Sequence, residues 1–225
     1  MKKIIQLSLM IFLTTVCVGQ NKLKDYYYPI TNKIEIKIFK YVDKNDSNNI
    51  EYWKVTTNPK TKKIKTVSYD SEFNIYNTFE EIITLTGAKL IKYADYEKNN
   101  SGNLVPNIAQ IIDSNVFKWD GEKDYKYSVK YTNKYGSYVF SKKRTELGFE
   151  NITMNNKEYE TVKFIADYSF NDINKNDDYS FYQYSYYAKN IGMIKYRRYT
   201  PNKIIILELA ELLNEEQFKK LKTNR

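Results

Sequence analysis

The sequence predicts a mainly β protein: a single antiparallel β-barrel or curved half-barrel of about ten strands, with a short C-terminal helix. Two observations carry this. Short segments alternate apolar and polar side chains with a period of two, and polar turns separate them at intervals of about 8–12 residues, the signature of a sandwich or barrel. Long strands with only seven glycines to kink them favour the barrel.

The first nineteen residues stand apart from that pattern. Met1-Lys2-Lys3 is a basic start, Ile4 to Val16 is apolar, and Cys17-Val18-Gly19 places small residues before Gln20. This is the form of a secretory signal peptide cut between Gly19 and Gln20, and the apolar stretch is shorter than a membrane-spanning helix. The rival reading is a lipoprotein signal acylated at Cys17, against which stands Val16 where a small residue is preferred. Residues 20–225 are then one exported β-rich domain with no transmembrane segment, placed in the periplasm, the cell envelope or the secreted fraction. Cleavage removes the one cysteine, so the mature chain has no disulfide and relies on its core. It also removes Lys2 and Lys3, taking the net charge from +9 to +7. Lysines scattered among acids throughout a Lys-, Asn-, Ile- and Tyr-rich chain read as composition, and export argues against a nucleic-acid partner.

Lys33 to Phe39 sets Ile34, Ile36 and Ile38 on one face against Lys33, Glu35 and Lys37. Ile50–Thr56 and Ile64–Tyr69 follow, joined by the turn sequence Asn58-Pro59-Lys60-Thr61. Phe79–Leu85 and Lys89–Tyr96 flank a turn at Thr86-Gly87-Ala88, and Glu97 to Pro106 reads as the longest loop. Tyr125 to Thr132 is the clearest strand, with Tyr125, Tyr127, Val129 and Tyr131 opposite Lys126, Ser128, Lys130 and Thr132. Ser137–Glu146, Phe149–Met154 and Tyr159–Phe170 come next. Asp167 to Asp178 is acidic enough to raise a calcium loop, but it lacks EF-hand spacing and reads as a hairpin loop. Ile204–Leu213, apolar on both faces, reads as a central strand, with a helix as the alternative. Asn214 caps a helix with Glu215 and Glu216 in its first turn and lysines near its last, matching the helix dipole.

The stretch Tyr179 to Tyr199 holds the candidate site. Tyr182, Tyr184 and Tyr186 share one strand face, spaced roughly 7 Å apart, and Tyr179, Phe181 and Tyr187 share the other. The first three form a ladder that could stack a sugar or line a greasy groove, although tyrosine is also an ordinary strand residue. Asn190 and Gly192 supply the reversal that follows. Lys195, Arg197 and Arg198 read as the solvent face of an edge strand, where cations block aggregation.

Four stretches carry a resemblance. Tyr27-Tyr28-Pro29-Ile30 resembles a "YYPL" opening, Val116-Phe117-Lys118-Trp119 a mid-chain aromatic strand, Gly148–Met154 a "G-x-E-x-I-T-V" strand, and Ala188–Lys195 an "A-x-G-V-G-L-V-K" ending. Together these are similar to a group of exported β-rich envelope proteins of Gram-negative bacteria that has no assigned activity. Asn155-Asn156-Lys157 stands in place of that group's Pro-Ala-Gly, and Asn190 in place of a glycine. The resemblance implies a barrel-like envelope protein and brings no catalytic residues.

Histidine is absent, which removes Ser-His-Asp and Cys-His machinery and histidine-based metal sites. No phosphate-binding glycine loop is present, and no cofactor is implied. Carboxylates for glycoside hydrolysis exist (Glu80 and Glu81, Glu158 and Glu160, Glu208 and Glu211), without surroundings that single out a pair. The sequence thus favours binding over catalysis. The first expectation is an exported envelope protein that holds an apolar or amphipathic ligand, such as a lipid or acyl chain. The alternative is a secreted glycan-binding protein or carboxylate-based glycosidase.

Overall fold

The computed structural model describes residues 23–175 and 177–224, so the signal segment, its Gly19–Gln20 junction and Cys17 lie outside the described residues. After a 3-10 turn at Leu23–Tyr26 the chain runs through β1 (Glu35–Asp43), β2 (Ile50–Asn58), β3 (Lys63–Tyr69), β4 (Ile75–Ile83), β5 (Gly87–Lys98), β6 (Leu104–Ile108) and β7 (Gln110–Lys118). It continues through β8 (Asp124–Asn133), β9 (Gly136–Met154), β10 (Lys157–Asp172), β11 (Asp177–Ala188), β12 (Gly192–Tyr199) and β13 (Ile204–Leu213) into helix α1 (Glu215–Thr223). Each strand pairs antiparallel with its sequence neighbour through a short turn, except that β7 skips β6 to pair with β5. Two pairings, β1 with β13 and β4 with β5, close twelve strands into a barrel. β6 extends it beyond β5.

The period-two pattern sets which side chains enter. On β8, Tyr125, Tyr127 and Val129 are buried inside while Lys126 and Lys130 are exposed, as the alternation predicts. The interior is aromatic: Phe117 packs against Phe164 at 5.1 Å and against Tyr187 at 5.3 Å, and Tyr41 lies 5.1 Å from Trp53. Off-stacked and edge-on rings of this kind add to area burial. An apolar inside beneath a charged outside is the reverse of a membrane-embedded barrel.

One end of the barrel is stoppered by the N-terminal segment. Tyr26, Tyr27 and Tyr28 are buried there, Asn190 donates its backbone N–H to the Asp25 carbonyl at 2.7 Å, and Tyr26 hydrogen-bonds Glu160. Gly192 makes room for the stopper. It sits at φ +106°, and a Cβ there would fall 2.5 Å from the Tyr28 ring. Gly192→Ala is therefore expected to cost about 2–4 kcal/mol, from a left-handed backbone and an overpacked ring together. Urea unfolding measures it; a loss below 1 kcal/mol would mean that the stopper yields freely.

Several boundaries differ from the sequence reading. Glu97–Pro106 is half strand, its ends belonging to β5 and β6 and a tight turn at Asn99–Asn103 bridging them. Pro106 hid β6; it is tolerated because β6 is an outer strand with no ladder to complete on its far side. Ser137–Glu146 and Phe149–Met154 are one strand, β9. Its pairing skips Leu147, which bulges outward while Gly148 takes φ +111°. The Asp167–Asp178 segment is mostly β10 and β11, and Asp172 accepts from the N–H groups of Asn174 and Lys175 in the turn between them. β12 is not an edge strand: closure gives it β11 and β13 as neighbours, and its alternation turns Arg198 inward beside Gln183.

Ile36 and Ile38 face outward, where α1 covers them. Phe218 of the helix packs on Tyr52 at 5.5 Å and Phe73 at 5.6 Å, over Ile38 and Leu213. Asn214 and Gln217 form a reciprocal capping box at the start of this helix, as the cap sequence indicated.

Candidate functional site: a cationic cavity inside the barrel

Above the stopper the rings do not fill the barrel. A cavity of about 370 Å³ remains, in the range of small-molecule sites. Tyr27, Tyr28, Val116, Tyr187 and Met193 form its floor. Phe79, Tyr93, Phe140, Phe170 and Phe181 form its wall towards the opposite end. Tyr179, which lines the cavity yet is 46% exposed, marks its mouth.

Four charged side chains and an amide break the apolar wall, Glu81 from β4, Lys142 and Arg144 from β9, Gln183 from β11 and Arg198 from β12, with Thr66, Ser68 and Asn77 also on it. The pleat places them there: Glu81, Lys142, Gln183 and Arg198 each share an inward face with an aromatic residue two positions away (Phe79, Phe140, Phe181 and Tyr196), and Arg144 shares that of Lys142. Arg144 is wholly enclosed. It donates to the Val116 carbonyl at 3.0 Å and the Tyr187 hydroxyl at 3.1 Å, and it lies over the Phe117, Phe164 and Tyr187 rings at 5.4–5.7 Å. Arg198 donates to Gln183 Oε1 at 3.2 Å, and Gln183 donates onward to Ser185 at 3.0 Å. Glu81 accepts from the Tyr27 hydroxyl at the floor. Burial pushes the Glu81 carboxyl up to about 7, against the opposing pull of Tyr27, Arg144 and Lys142. Burial, reinforced by Arg144 and Arg198, holds the Lys142 ammonium well below its ordinary value, with Glu81 pulling the other way.

Tyr182, Tyr184 and Tyr186 belong to the outer face of β11. Tyr182 stacks on Tyr199 at 4.7 Å, Tyr184 meets both edge-on, and Lys163 lies over Tyr184 and Tyr186. Tyr182 also lines a shallow outer groove with Tyr199, Asp167, Ser141, Lys143 and Thr200. The opposite face of the same strand, Tyr179, Phe181, Gln183 and Tyr187, enters the cavity. Among the carboxylates, Glu80 turns outward to Lys63, Glu208 pairs with Lys195, and Glu158 is held by Asn151; Glu81 lines the cavity. The inward cations were missed because a lysine or arginine in a strand is normally read as solvent-facing. Ser141-Lys142-Lys143-Arg144 has charges on both faces, and that was the available signal.

No protein-family model and no curated protein matches the chain by sequence. Two solved structures match it in shape. One is a candidate lipoprotein from Parabacteroides distasonis ATCC 8503, with TM-score 0.52, 16% identity, and coverage of 83% of this chain and 97% of that one. The other is a candidate exported protein with a YmcC-like fold from Bacteroides fragilis NCTC 9343, with TM-score 0.51, 12% identity, and coverage of 84% and 99%. The barrel shares this fold. At such identities the likeness extends to the fold alone, and the cavity residues stand on their own geometry.

Proposed function

We propose that the protein is an exported envelope protein whose barrel holds an amphipathic ligand, without catalysing its conversion. The observation that carries this is the cavity: about 370 Å³ of space, walled by aromatic rings and set with a few convergent polar groups. Export rests on the signal-like first nineteen residues and accords with the two bacterial proteins of the same fold, one described as exported and one as a lipoprotein. Native mass spectrometry of the protein, expressed with its own first nineteen residues in a bacterium and purified without detergent, tests both parts. The expected spectrum shows an added mass that organic extraction removes, on a chain beginning at Gln20. A chain beginning at an acylated Cys17 would replace simple cleavage by lipid anchoring, and a clean ligand-free mass would count against a tightly held ligand.

A second reading rests on the outer groove, where the stacked Tyr182–Tyr199 pair stands beside Asp167 and Ser141. Exposed rings with neighbouring hydroxyl and carboxylate groups suit sugar stacking. Binding on a glycan array that Tyr182→Ala abolishes, in protein that carries no added mass, would move the function to this face.

A further inference from the structure

The cavity's charge is unbalanced. Lys142, Arg144 and Arg198 oppose Glu81, and Glu81 already accepts from Tyr27. Arg144 is occupied by a carbonyl, a hydroxyl and three rings. Lys142 is different. Among the described residues its ammonium has no hydrogen-bond or ion-pair partner, and it rests on the Tyr168 ring at 4.7 Å. Arg198 has no carboxylate within ion-pair distance among them; Glu51, which accepts from Trp53 and Tyr76 of the cavity wall, attracts it from farther off, and its contacts are Gln183 and the Phe181 and Tyr196 rings. The two cations share one support. Tyr168 beneath Lys142 stacks on Phe181 at 4.5 Å and 14°, and Phe181 carries the Arg198 guanidinium at 5.4 Å. Buried cations are costly unless paired, and two on a common aromatic stack beside open space, with no carboxylate in contact, leave a place for an anion.

Resting on the reading that the cavity is the binding site, we propose that Lys142 and Arg198 hold the carboxylate head of a single-chain amphiphile of the fatty-acid type, whose chain lies along Phe140, Phe170, Phe79 and Tyr93 towards the mouth. The volume suits one chain, since about 370 Å³ is at the small end of ligand cavities. The order along β9 sets the direction. Phe140 lies two residues nearer the mouth end than Lys142, and Phe170 lies two residues beyond Tyr168 on β10, so the rings line the path between cation and opening. The stopper and the Glu81–Tyr27 pair close the other side.

The test uses extracted, ligand-free protein and three probes of equal chain length: palmitate, hexadecanol and hexadecyl phosphate, with binding read by native mass spectrometry and calorimetry. Palmitate should bind at least about tenfold more tightly than hexadecanol, the strength of a charge-assisted contact out of water. Lys142→Met should bring that ratio close to one while leaving hexadecanol binding intact, because it keeps the volume and removes the charge. Arg198→Gln should lower the ratio in part. Equal binding of palmitate and hexadecanol in the unaltered protein would overturn the anionic head and leave the amphiphile reading standing. Tighter binding of hexadecyl phosphate than palmitate would overturn the carboxylate assignment, and binding of none of the three would sink both readings. Thermal unfolding of each variant guards the comparison: a folded Lys142→Met protein with an unchanged ratio also overturns the proposal.

Discussion

Tyr27→Ala is expected to destabilise the protein by about 4 kcal/mol, the usual cost of deleting a buried aromatic ring. Tyr27 is the keystone of the stopper. Its ring packs 4.6 Å from Phe117 and 5.2 Å from Tyr28, and it faces Trp119 and Tyr187 at 6.3–6.4 Å. Removal opens a void beneath the cavity and strands the Glu81 carboxyl without its donor. For a domain of this size the melting temperature should fall by roughly 10 °C. Tyr27→Phe separates the two contributions, because it keeps the rings and deletes the hydroxyl. Its expected cost is about 1–2 kcal/mol, larger at pH 8 than at pH 5, since the lost hydrogen bond serves the charged carboxylate best. If the alanine variant melted within 3 °C of the parent, the N-terminal segment would be an ornament of the barrel end.

Stability should also fall as the pH rises from 4.5 to about 7, and Glu81→Gln should remove much of that slope. The folded Glu81 carboxyl titrates at about 7, against 4.5 when free. Between these values the folded chain keeps a proton that the unfolded chain has released. Stability therefore declines with rising pH across that window, and the Glu81 contribution is level below 4.5 and above about 7. The displacement corresponds to about 3 kcal/mol. Burial causes it, while the groups facing Glu81 (Tyr27 from the stopper, Lys142 and Arg144 from β9) hold the value down. Asp95, which burial raises to about 6, and Glu146, also raised by burial, contribute slopes of the same sign. Those two are common to parent and variant, so the difference reports Glu81 together with Lys142, whose depressed ammonium has a slope of the opposite sign and which Glu81 pulls upward. Urea unfolding at pH 5 and pH 8 should show Glu81→Gln gaining about 3 kcal/mol on the parent between the two. Parallel profiles would mean that water or a bound cation solvates the carboxyl.

Much of the wall was legible in the sequence, and little of the site. The alternation at Tyr125–Tyr131 predicted both the strand and its buried face, because a polar residue (Lys126, Ser128, Lys130) stood at every second position. The turn at Asn190–Gly192 was legible because few residues accept positive φ, and both positions take it. Asn214 announced the helix through capping chemistry that is local. Ile36 and Ile38 show where such reading stops. Their alternation is correct, but α1 arrives from the far end of the chain to cover them, so the apolar face points out and Phe39 and Tyr41 point in. On β11 both faces were aromatic, and alternation offered no choice between Tyr182, Tyr184 and Tyr186 outside and Tyr179, Phe181 and Tyr187 inside.

By itself the sequence determined the class of the protein: antiparallel strands, one capped helix and no histidine chemistry. These follow from period, composition and turn residues, which act over a few neighbours. Only the tertiary structure decided that β1 meets β13 and β5 meets β7, which side of each strand became the interior, and that Lys142, Arg198 and Glu81 share one cavity with the Tyr27 hydroxyl at its floor. The reason is physical. A strand's two faces are equivalent until closure encloses one of them, and the identity of that face depends on contacts between residues far apart in the chain.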